Sequence, residues 1–209
     1  MYNKQSVREQ YELCEKRLVE GSRNKFYEQY PNSSDTLQCA LLANDQGHCF
    51  KSLMNNLIKD SDASERNFAF MHLELNRSNE VCKAQAIDLI WDLVSFKVKE
   101  VLRDTDVVLE MYNSNNQKLR MESDVELAIF ICLIEQIEAI GKIASRVLGV
   151  FKDRLSVRDH KIKIAANIGI AIYPRSGNTY EALCKKAERA VGEARRKGEL
   201  EYHCYEQCK

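Results

Sequence analysis

KIKIAANIGIAIYP, residues 161–174, is the stretch of sequence that decides the fold. Its isoleucines recur among small and polar residues in the way that is typical of a strand. The turn residues Gly177-Asn178-Thr179 follow, and an Ala-rich segment with apolar residues at helical spacing then continues to Gly198. With a short closing strand near residues 202–205, this part of the chain predicts a strand, a helix and a second strand.

The pattern of apolar residues predicts the elements in front of this unit. Helices are predicted over residues 49–58, 84–102 and 134–152, and strands over residues 68–75, 107–112 and 126–133. Residues 60–64 are typical of a turn, and the polar segment 113–124 between two of the strands predicts an extended hairpin. The predicted order is thus helix, strand, helix, hairpin, helix, strand, helix and strand, within one domain.

The N-terminal part of the chain differs from the rest in composition. Tyr11, Leu13, Leu18 and Tyr27 are spaced like one side of a helix within an otherwise polar and charged segment, and Pro31 interrupts that pattern. A chain of 209 residues is long enough for one well-buried core and a modest extension. We therefore predict a helical arm over residues 1–38 and a single domain over residues 39–209.

The overall charge excludes some classes of partner. The 31 basic and 31 acidic residues give a formal net charge of zero, so no global field attracts nucleic acid or an anionic membrane. No run approaches the roughly 18 apolar residues of a membrane span, and the first residues lack the apolar core of a signal peptide. We expect a cytoplasmic protein that binds no nucleic acid.

Residues 167–200, NIGIAIYPRSGNTYEALCKKAERAVGEARRKGEL, resemble the C-terminal half of a GGDEF domain, the diguanylate cyclase fold. The family pattern there is SIGIAxYPxxGxTxExLxxxADxAxYxAKxxGRN, and this chain matches its length without a gap. The resemblance extends over roughly residues 39–206 and is weak at the start, where DxLTGLxNRxxF becomes CALLANDQGHCF. It implies an α/β (α+β) sandwich of the nucleotidyl-cyclase palm type, with a central, mostly antiparallel five-stranded sheet flanked by helices.

The resemblance also implies where catalytic carboxylates belong. Joining two GTP molecules requires Mg²⁺, which prefers oxygen ligands. The family places the first acids in the motif LDxDxFK, and residues 73–79, LELNRSN, align with it. Glu74 then takes the metal position and Asn76 the position of the other acid. Glu74 can still ligate a metal, although its longer side chain would displace the ion.

The turn that gives the family its name is degenerate here. Its best match is SDVEL, in which Ser123 and Asp124 replace the two glycines and Val125 replaces the metal-binding acid, followed by Glu126 and Leu127. Glycines at this point let the backbone approach the nucleotide closely, whereas Ser and Asp add Cβ atoms. A valine side chain offers no lone pair to a metal.

Two further positions have ambiguous roles. Arg195 preserves one positive charge of the phosphate-binding motif AKxxGRN, whereas Glu199 replaces an arginine and would repel a triphosphate. Asp88 aligns with a guanine contact of the family, but an ordinary exposed helix acid explains it equally well.

Loss of a metal ligand alone removes several kcal/mol of transition-state stabilisation. We therefore predict a catalytically inactive domain.

The product-binding site of family cyclases has counterparts for every charge. Arg103 and Asp106 match its RxxD motif, which lies nine residues before the turn when the turn is counted from Tyr112. Arg146 matches the basic residue of the following helix, and Lys142 lies one turn earlier. Arginine binds phosphates and guanine edges in two-pronged fashion, and aspartate accepts from guanine N–H groups. The alternative is structural: Arg103 ends a helix and Asp106 starts a turn.

The cysteines and histidines indicate neither a metal site nor a nucleophilic centre. The eight cysteines include no C-x-x-C pair and are expected to be reduced; His203, Cys204 and Cys208 lack the spacing of a zinc site. The histidines have no nearby Ser, Cys or Asp arrangement that indicates nucleophilic catalysis, and we interpret each as a surface or satisfied structural residue; they are His48, His72, His160 and His203. No cofactor or resident metal is expected.

These observations lead to one functional hypothesis and two alternatives. The first is an inactive receptor or regulatory module that binds cyclic di-GMP through Arg103, Asp106, Lys142 and Arg146 and signals by protein contact. The second is a nucleotide-independent scaffold that binds another protein through the altered hairpin and the N-terminal helix. The third is a residual cyclase that uses Glu74, Asp88 and Arg195 with GTP, and only this one needs Mg²⁺. The sequence leaves open whether the protein is a homodimer.

Overall fold

The computed structural model describes residues 46–76, 87–103, 105–110, 124–157 and 160–205. The predicted arm over residues 1–38 and its boundary with the domain lie outside these ranges, as does most of the predicted 113–124 hairpin. Within the described ranges, no helix is both long and apolar enough to cross a membrane.

Four helices and seven strands make up the described part of the chain. In chain order they are α1 (Gln46–Ser64), β1 (Asn67–Asn76), α2 (Ile87–Glu100), β2 (Val107–Glu110), β3 (Asp124–Ile134), α3 (Ala139–Gly149), β4 (Leu155–Val157), β5 (His160–Ile162), β6 (Ala165–Tyr173), α4 (Tyr180–Lys197) and β7 (Tyr202–Cys204).

The main sheet has five strands in the order β2-β3-β1-β6-β7. All neighbouring strands are antiparallel except β6 and β7, which are parallel. Strands β4 and β5 form a separate antiparallel pair. The prediction of a mostly antiparallel five-stranded sheet flanked by helices is confirmed.

The central strand β1 supplies side chains to both faces of the sheet. Ala69, Met71, Leu73 and Leu75 belong to a core that includes residues of α2 and α3. Phe68 and Phe70 belong to a second core, on the face that α1 and α4 cover. Since successive side chains of a strand point to opposite faces, His72 and Glu74 continue the Phe68 row beneath α1 and α4.

Several predicted boundaries need correction. Residues 60–64 were expected to form a turn but are the last residues of α1, because Asp60 and Ser61 are buried and the Ser64 hydroxyl donates to the Asp60 carbonyl at 2.6 Å. The chain leaves the helix at Glu65, which has a φ of 52°. The third predicted helix is shorter than expected, because β3 extends to Ile134 and α3 begins only at Ala139.

The run that decides the fold also divides. Residues 160–162 pair with β4, and only Ala165–Tyr173 joins the main sheet, beside β1 and β7. Apolar residues are nearly continuous in β6 because both of its faces are buried, and this explains why alternation is clear only before residue 165.

Helix α4 lies unusually close to β6, and Gly169 permits this. A Cβ atom at Gly169 would lie 2.1 Å from the Ala187 carbonyl oxygen and 2.4 Å from the Val191 backbone nitrogen. The helix residues on this side are small and buried, namely Ala187, Ala190 and Ala194. The glycine therefore sets the distance between sheet and helix.

Thr179 fixes the start of α4, which yields a first prediction. Its backbone is extended, and its side-chain oxygen accepts from the Ala182 backbone nitrogen at 3.2 Å. Thr179→Ala removes this cap, and we expect it to lower the free energy of unfolding by about 1 kcal/mol in urea denaturation. Asn178→Ala, at the exposed neighbouring position, serves as the control; equal losses in both variants would contradict a capping role.

Candidate functional site

A row of polar side chains crosses three strands on the face beneath α4. Glu74 of β1 pairs with Asn167 of β6 on one side and with Glu126 of β3 on the other. Glu74 is 4% exposed and Asn167 is 1% exposed. The sheet thus carries two acids and an amide side by side on this face.

Glu74, the predicted metal ligand, is engaged by a cation from the protein itself. The Arg195 guanidinium donates to both carboxylate oxygens of Glu74. The Glu74 side chain is buried, whereas that of Arg195 is 54% exposed. Both contacts come from the single Nη2 atom, so one guanidinium nitrogen bridges the two oxygens of a buried carboxylate in a charge-assisted pair.

Glu126 has a different neighbour, His72, which the sequence interpretation missed. The His72 Nε2 atom lies 3.1 Å from Glu126 Oε2, although the approach is not aligned for a hydrogen bond. His72 is 5% exposed, so of the two roles expected for it, surface or structural, the surface role is excluded. It stands two residues before Glu74 on β1, and the two-residue period of a strand was the signal that could have identified it.

Asn167 is the second residue that the sequence interpretation missed. Its side-chain oxygen accepts from the Glu201 backbone nitrogen at 3.2 Å, which ties the entry of β7 to β6. Its buried Nδ2 atom has no hydrogen-bond partner among the residues that the structure describes. Buried polar atoms of this kind are uncommon in native proteins, and they are frequently found where water or a ligand binds.

The structure gives a register for the degenerate turn residues. Asp124 pairs with Asn76, and Val125 pairs with Leu75, so the acid directly opposite Glu74 is Glu126. Leu127 is fully buried in the core on the other face. The side chains of Asn76, Asp88, Asp124 and Val125 lie outside the described part of the structure, and Ser123 lies outside it altogether.

The residues at this site do not fit a divalent cation in their observed arrangement. Mg²⁺ requires oxygen ligands in nearly octahedral geometry, but Arg195 occupies both oxygens of Glu74. A guanidinium at this position would also repel a second cation. Among the described residues, no group of three or more His, Cys, Asp or Glu side chains is placed to hold a metal ion. Among the described residues, Cys132, Cys184 and Cys204 form no disulfide bond.

The predicted product-binding residues lie in the layer on the opposite face. Asp106 precedes β2, and its carboxylate accepts from the backbone nitrogens of Arg103 at 3.0 Å and Cys132 at 3.2 Å. Burial raises the pKa of Asp106 above its ordinary value of 3.8, while these two hydrogen bonds and the charges of Arg103 and Arg146 act to lower it. Both arginines are therefore close enough for their charges to act on the acid.

Helix α3 presents the remaining two charges. Lys142 and Arg146 are both exposed and lie one helical turn apart. Arg103 and Asp106 thus share one turn, the charge of Arg146 acts on Asp106, and Lys142 lies one helical turn before Arg146 on α3. The structure also gives Asp106 the structural role of the alternative interpretation, since the Asp106 backbone nitrogen donates to the Arg103 carbonyl at 3.0 Å and closes a turn.

Comparisons with known proteins agree with this architecture. The family model described as "Diguanylate cyclase, GGDEF domain" matches residues 48–201. The cyclic di-GMP phosphodiesterase NbdA of Pseudomonas aeruginosa is 26% identical over 133 residues, which are 62% of this chain and 16% of that protein. The chain therefore spans about a sixth of the length of this curated relative.

Solved structures show the same fold at low sequence identity. The GGDEF domain of YfiN (or TpbB) from Pseudomonas aeruginosa superposes with a TM-score of 0.64 at 19% identity, covering 75% of this chain and 93% of that one. The diguanylate cyclase SiaD of the same species, solved in complex with its activator SiaC, has a TM-score of 0.58 at 17% identity, covering 95% of this chain and 75% of that one. Since the family model covers well over half of the sequence, the chain belongs to the GGDEF domain family of cyclic di-GMP signalling.

Proposed function

We propose that this GGDEF domain does not synthesise cyclic di-GMP and instead binds it, as a receptor or regulatory module, through Arg103, Asp106, Lys142 and Arg146. Catalysis and binding would depend on different faces of the sheet. The same chain can therefore lose one activity and keep the other, because function depends on individual sites and not on the fold.

The catalytic face supports the loss of synthesis. A cyclase needs Mg²⁺ to neutralise the phosphates during the reaction. Here the acid at the expected metal position, Glu74, is paired with Arg195, and the aligned second ligand is Val125. Mg²⁺, if bound, would supply charge neutralisation and orientation of the triphosphate, but this chain offers it too few free carboxylate oxygens.

One observation carries the binding half of the proposal: the Asp106 carboxylate is held in place by two backbone N–H groups while two arginine charges act on it. An acid fixed in this way presents its remaining lone pairs in a defined direction. Guanine offers two neighbouring N–H donors to such a carboxylate, and guanidinium groups bind phosphates and the acceptor edge of guanine. A small dianionic ligand with guanine bases matches this set of charges.

Titration calorimetry with cyclic di-GMP tests the proposal. We expect the wild-type protein to bind, and Arg103→Ala and Arg146→Ala each to weaken binding by about 10-fold to 150-fold, the loss of a hydrogen bond to a charged group. Arg196→Ala is the matched control, because Arg196 is an exposed arginine on α4 whose one ion pair within the described ranges is with Glu193. Its affinity should equal that of the wild type.

Three results would overturn this proposal. Absence of cyclic di-GMP binding by the wild type, or unchanged affinity of Arg103→Ala, would reject the receptor and favour the protein-binding scaffold. Incubation with GTP and Mg²⁺, followed by chromatography, tests the remaining alternative. A dinucleotide product that disappears in Glu74→Gln would show a working cyclase.

A further inference from the structure

The end of α4 places a positive charge where the sheet concentrates negative charge. Glu74 and Glu126 are directly opposite each other on antiparallel strands, which brings their Cβ atoms within about 5 Å. Like charges at directly opposed positions destabilise a sheet, so this pair requires a compensating cation. Arg195 supplies one by binding both oxygens of Glu74.

The backbone geometry explains how a residue 121 positions away reaches Glu74. Gly169 lets α4 lie against β6, the strand beside β1. Ala194 is fully buried against the sheet, and the next residue, Arg195, extends from the same helical turn toward β1. The close packing of helix and sheet is thus a precondition of the ion pair.

Burial makes the carboxylate dependent on its partner. Glu74 is 4% exposed, so water can compensate its charge only poorly. Without Arg195, the site would hold two adjacent carboxylates, Glu74 and Glu126, with His72 next to the second one only. Paired carboxylates with free lone pairs are what a divalent cation binds.

We propose that the Arg195 guanidinium is a built-in cation that takes the place of a metal ion at Glu74, an autoinhibitory contact that keeps divalent cations out. This deepens the proposed function and rests on it in one respect, namely that the face of the sheet that carries Glu74 does not synthesise cyclic di-GMP. Removing Arg195 while keeping Glu74 then creates a divalent cation site from Glu74 and Glu126.

Thermal unfolding with and without MnCl₂ tests this inference on the full chain. The melting temperature of the wild type should not respond to Mn²⁺. Arg195→Gln should melt at a lower temperature without metal and should rise by roughly 3–5 °C once Mn²⁺ exceeds its dissociation constant about tenfold. The double variant Arg195→Gln with Glu74→Gln should lose the response, because one of the two carboxylates is gone.

Two further variants serve as controls. Arg195→Lys keeps the positive charge and should remain insensitive to Mn²⁺. Arg196→Gln removes the adjacent arginine, whose side chain is 74% exposed, and should behave like the wild type. If Arg195→Gln does not fold alone, recovery of its folded signal by Mn²⁺ supports the inference, and failure to recover contradicts it.

The outcomes separate this inference from the proposed function. The role of Arg195 as a built-in cation is rejected if Mn²⁺ stabilises the wild type as much as Arg195→Gln. It is also rejected if Arg195→Gln folds and its melting temperature does not respond to Mn²⁺. Neither result bears on cyclic di-GMP binding at Arg103. Dinucleotide synthesis by the wild type overturns the proposed function, whatever the melting curves show.

Discussion

Gly169→Ala is expected to destabilise the domain by about 3 kcal/mol or more, because the new methyl group would overlap backbone atoms of α4. The Ala187 carbonyl oxygen and the Val191 nitrogen would lie 2.1 and 2.4 Å from the added Cβ. Backbone atoms in the middle of a helix cannot rotate aside as a flexible side chain can. The whole helix would have to move away from β6, and the buried alanines of its inner face would lose their contacts.

Gly192→Ala is the matched control, and its expected effect has the opposite sign. Gly192 lies within the same helix, and a Cβ atom there would meet nothing within 4 Å. Alanine has a higher helix propensity than glycine, so this variant should gain about 0.5–1 kcal/mol. Urea denaturation of both variants measures the two changes. Equal effects in the two variants would show that close helix packing at Gly169 is not what the position requires.

The same experiment bears on the ion pair of Glu74 and Arg195. If Gly169→Ala folds with α4 displaced, Arg195 moves away from Glu74 together with its helix. The variant should then become sensitive to Mn²⁺ in the way expected of Arg195→Gln, whereas Gly192→Ala should not. Packing at one glycine and charge compensation at one glutamate are therefore linked through the position of a single helix.

The sequence predicts elements better than it predicts what they place together. The strand of residues 165–173 and the helix of residues 180–197 follow from their own apolar spacing, and both are present. The end of α1 was mispredicted because four of residues 60–64 are polar, yet Asp60 and Ser61 are buried by tertiary packing, which overrides local propensity. The mostly antiparallel five-stranded sheet was expected from the family resemblance, whereas the order of its strands was not predicted, since spacing alone does not determine which strands pair.

At the candidate site, too, the sequence identifies single residues but not which of them the fold brings together. Glu74 and Arg195 were both identified from the sequence, but separately, and nothing in either motif indicates that they bind each other. The pairing of Glu126 with Glu74 depends on the register of β3 against β1, which a long connection between strands does not fix. His72 was available from the two-residue period of β1, whereas Asn167 becomes a site residue only once β6 is known to neighbour β1.

Asp106→Asn is expected to weaken cyclic di-GMP binding by about 100-fold or more while leaving the domain folded. A carboxylate accepts two N–H groups of guanine, whereas an amide presents one acceptor and one donor, so one of the two hydrogen bonds is replaced by a repulsive contact. Calorimetry of the variant measures the loss. Asp153→Asn, at an exposed position on the loop after α3, is the control and should bind as the wild type does. If Asp106→Asn and the wild type bind cyclic di-GMP with equal affinity, Asp106 does not take part in binding.

The pH dependence of stability separates this binding role of Asp106 from its role in the turn. Burial raises the pKa of Asp106 above 3.8, so the folded state holds the proton more tightly than the unfolded state does. The stabilising contribution of this acid is therefore fully present below pH 3.8 and is lost as the pH rises through the folded-state pKa. Because asparagine does not titrate, the free energy of unfolding of the wild type minus that of Asp106→Asn should fall as the pH rises from 3.5 to 7 in urea denaturation at about 25 °C. A difference that rises with pH would mean that the charged acid stabilises the turn, and that Asp106 is retained for structure. A falling difference together with lost binding would mean that the domain keeps a buried charge at a cost to its stability because its ligand requires that charge.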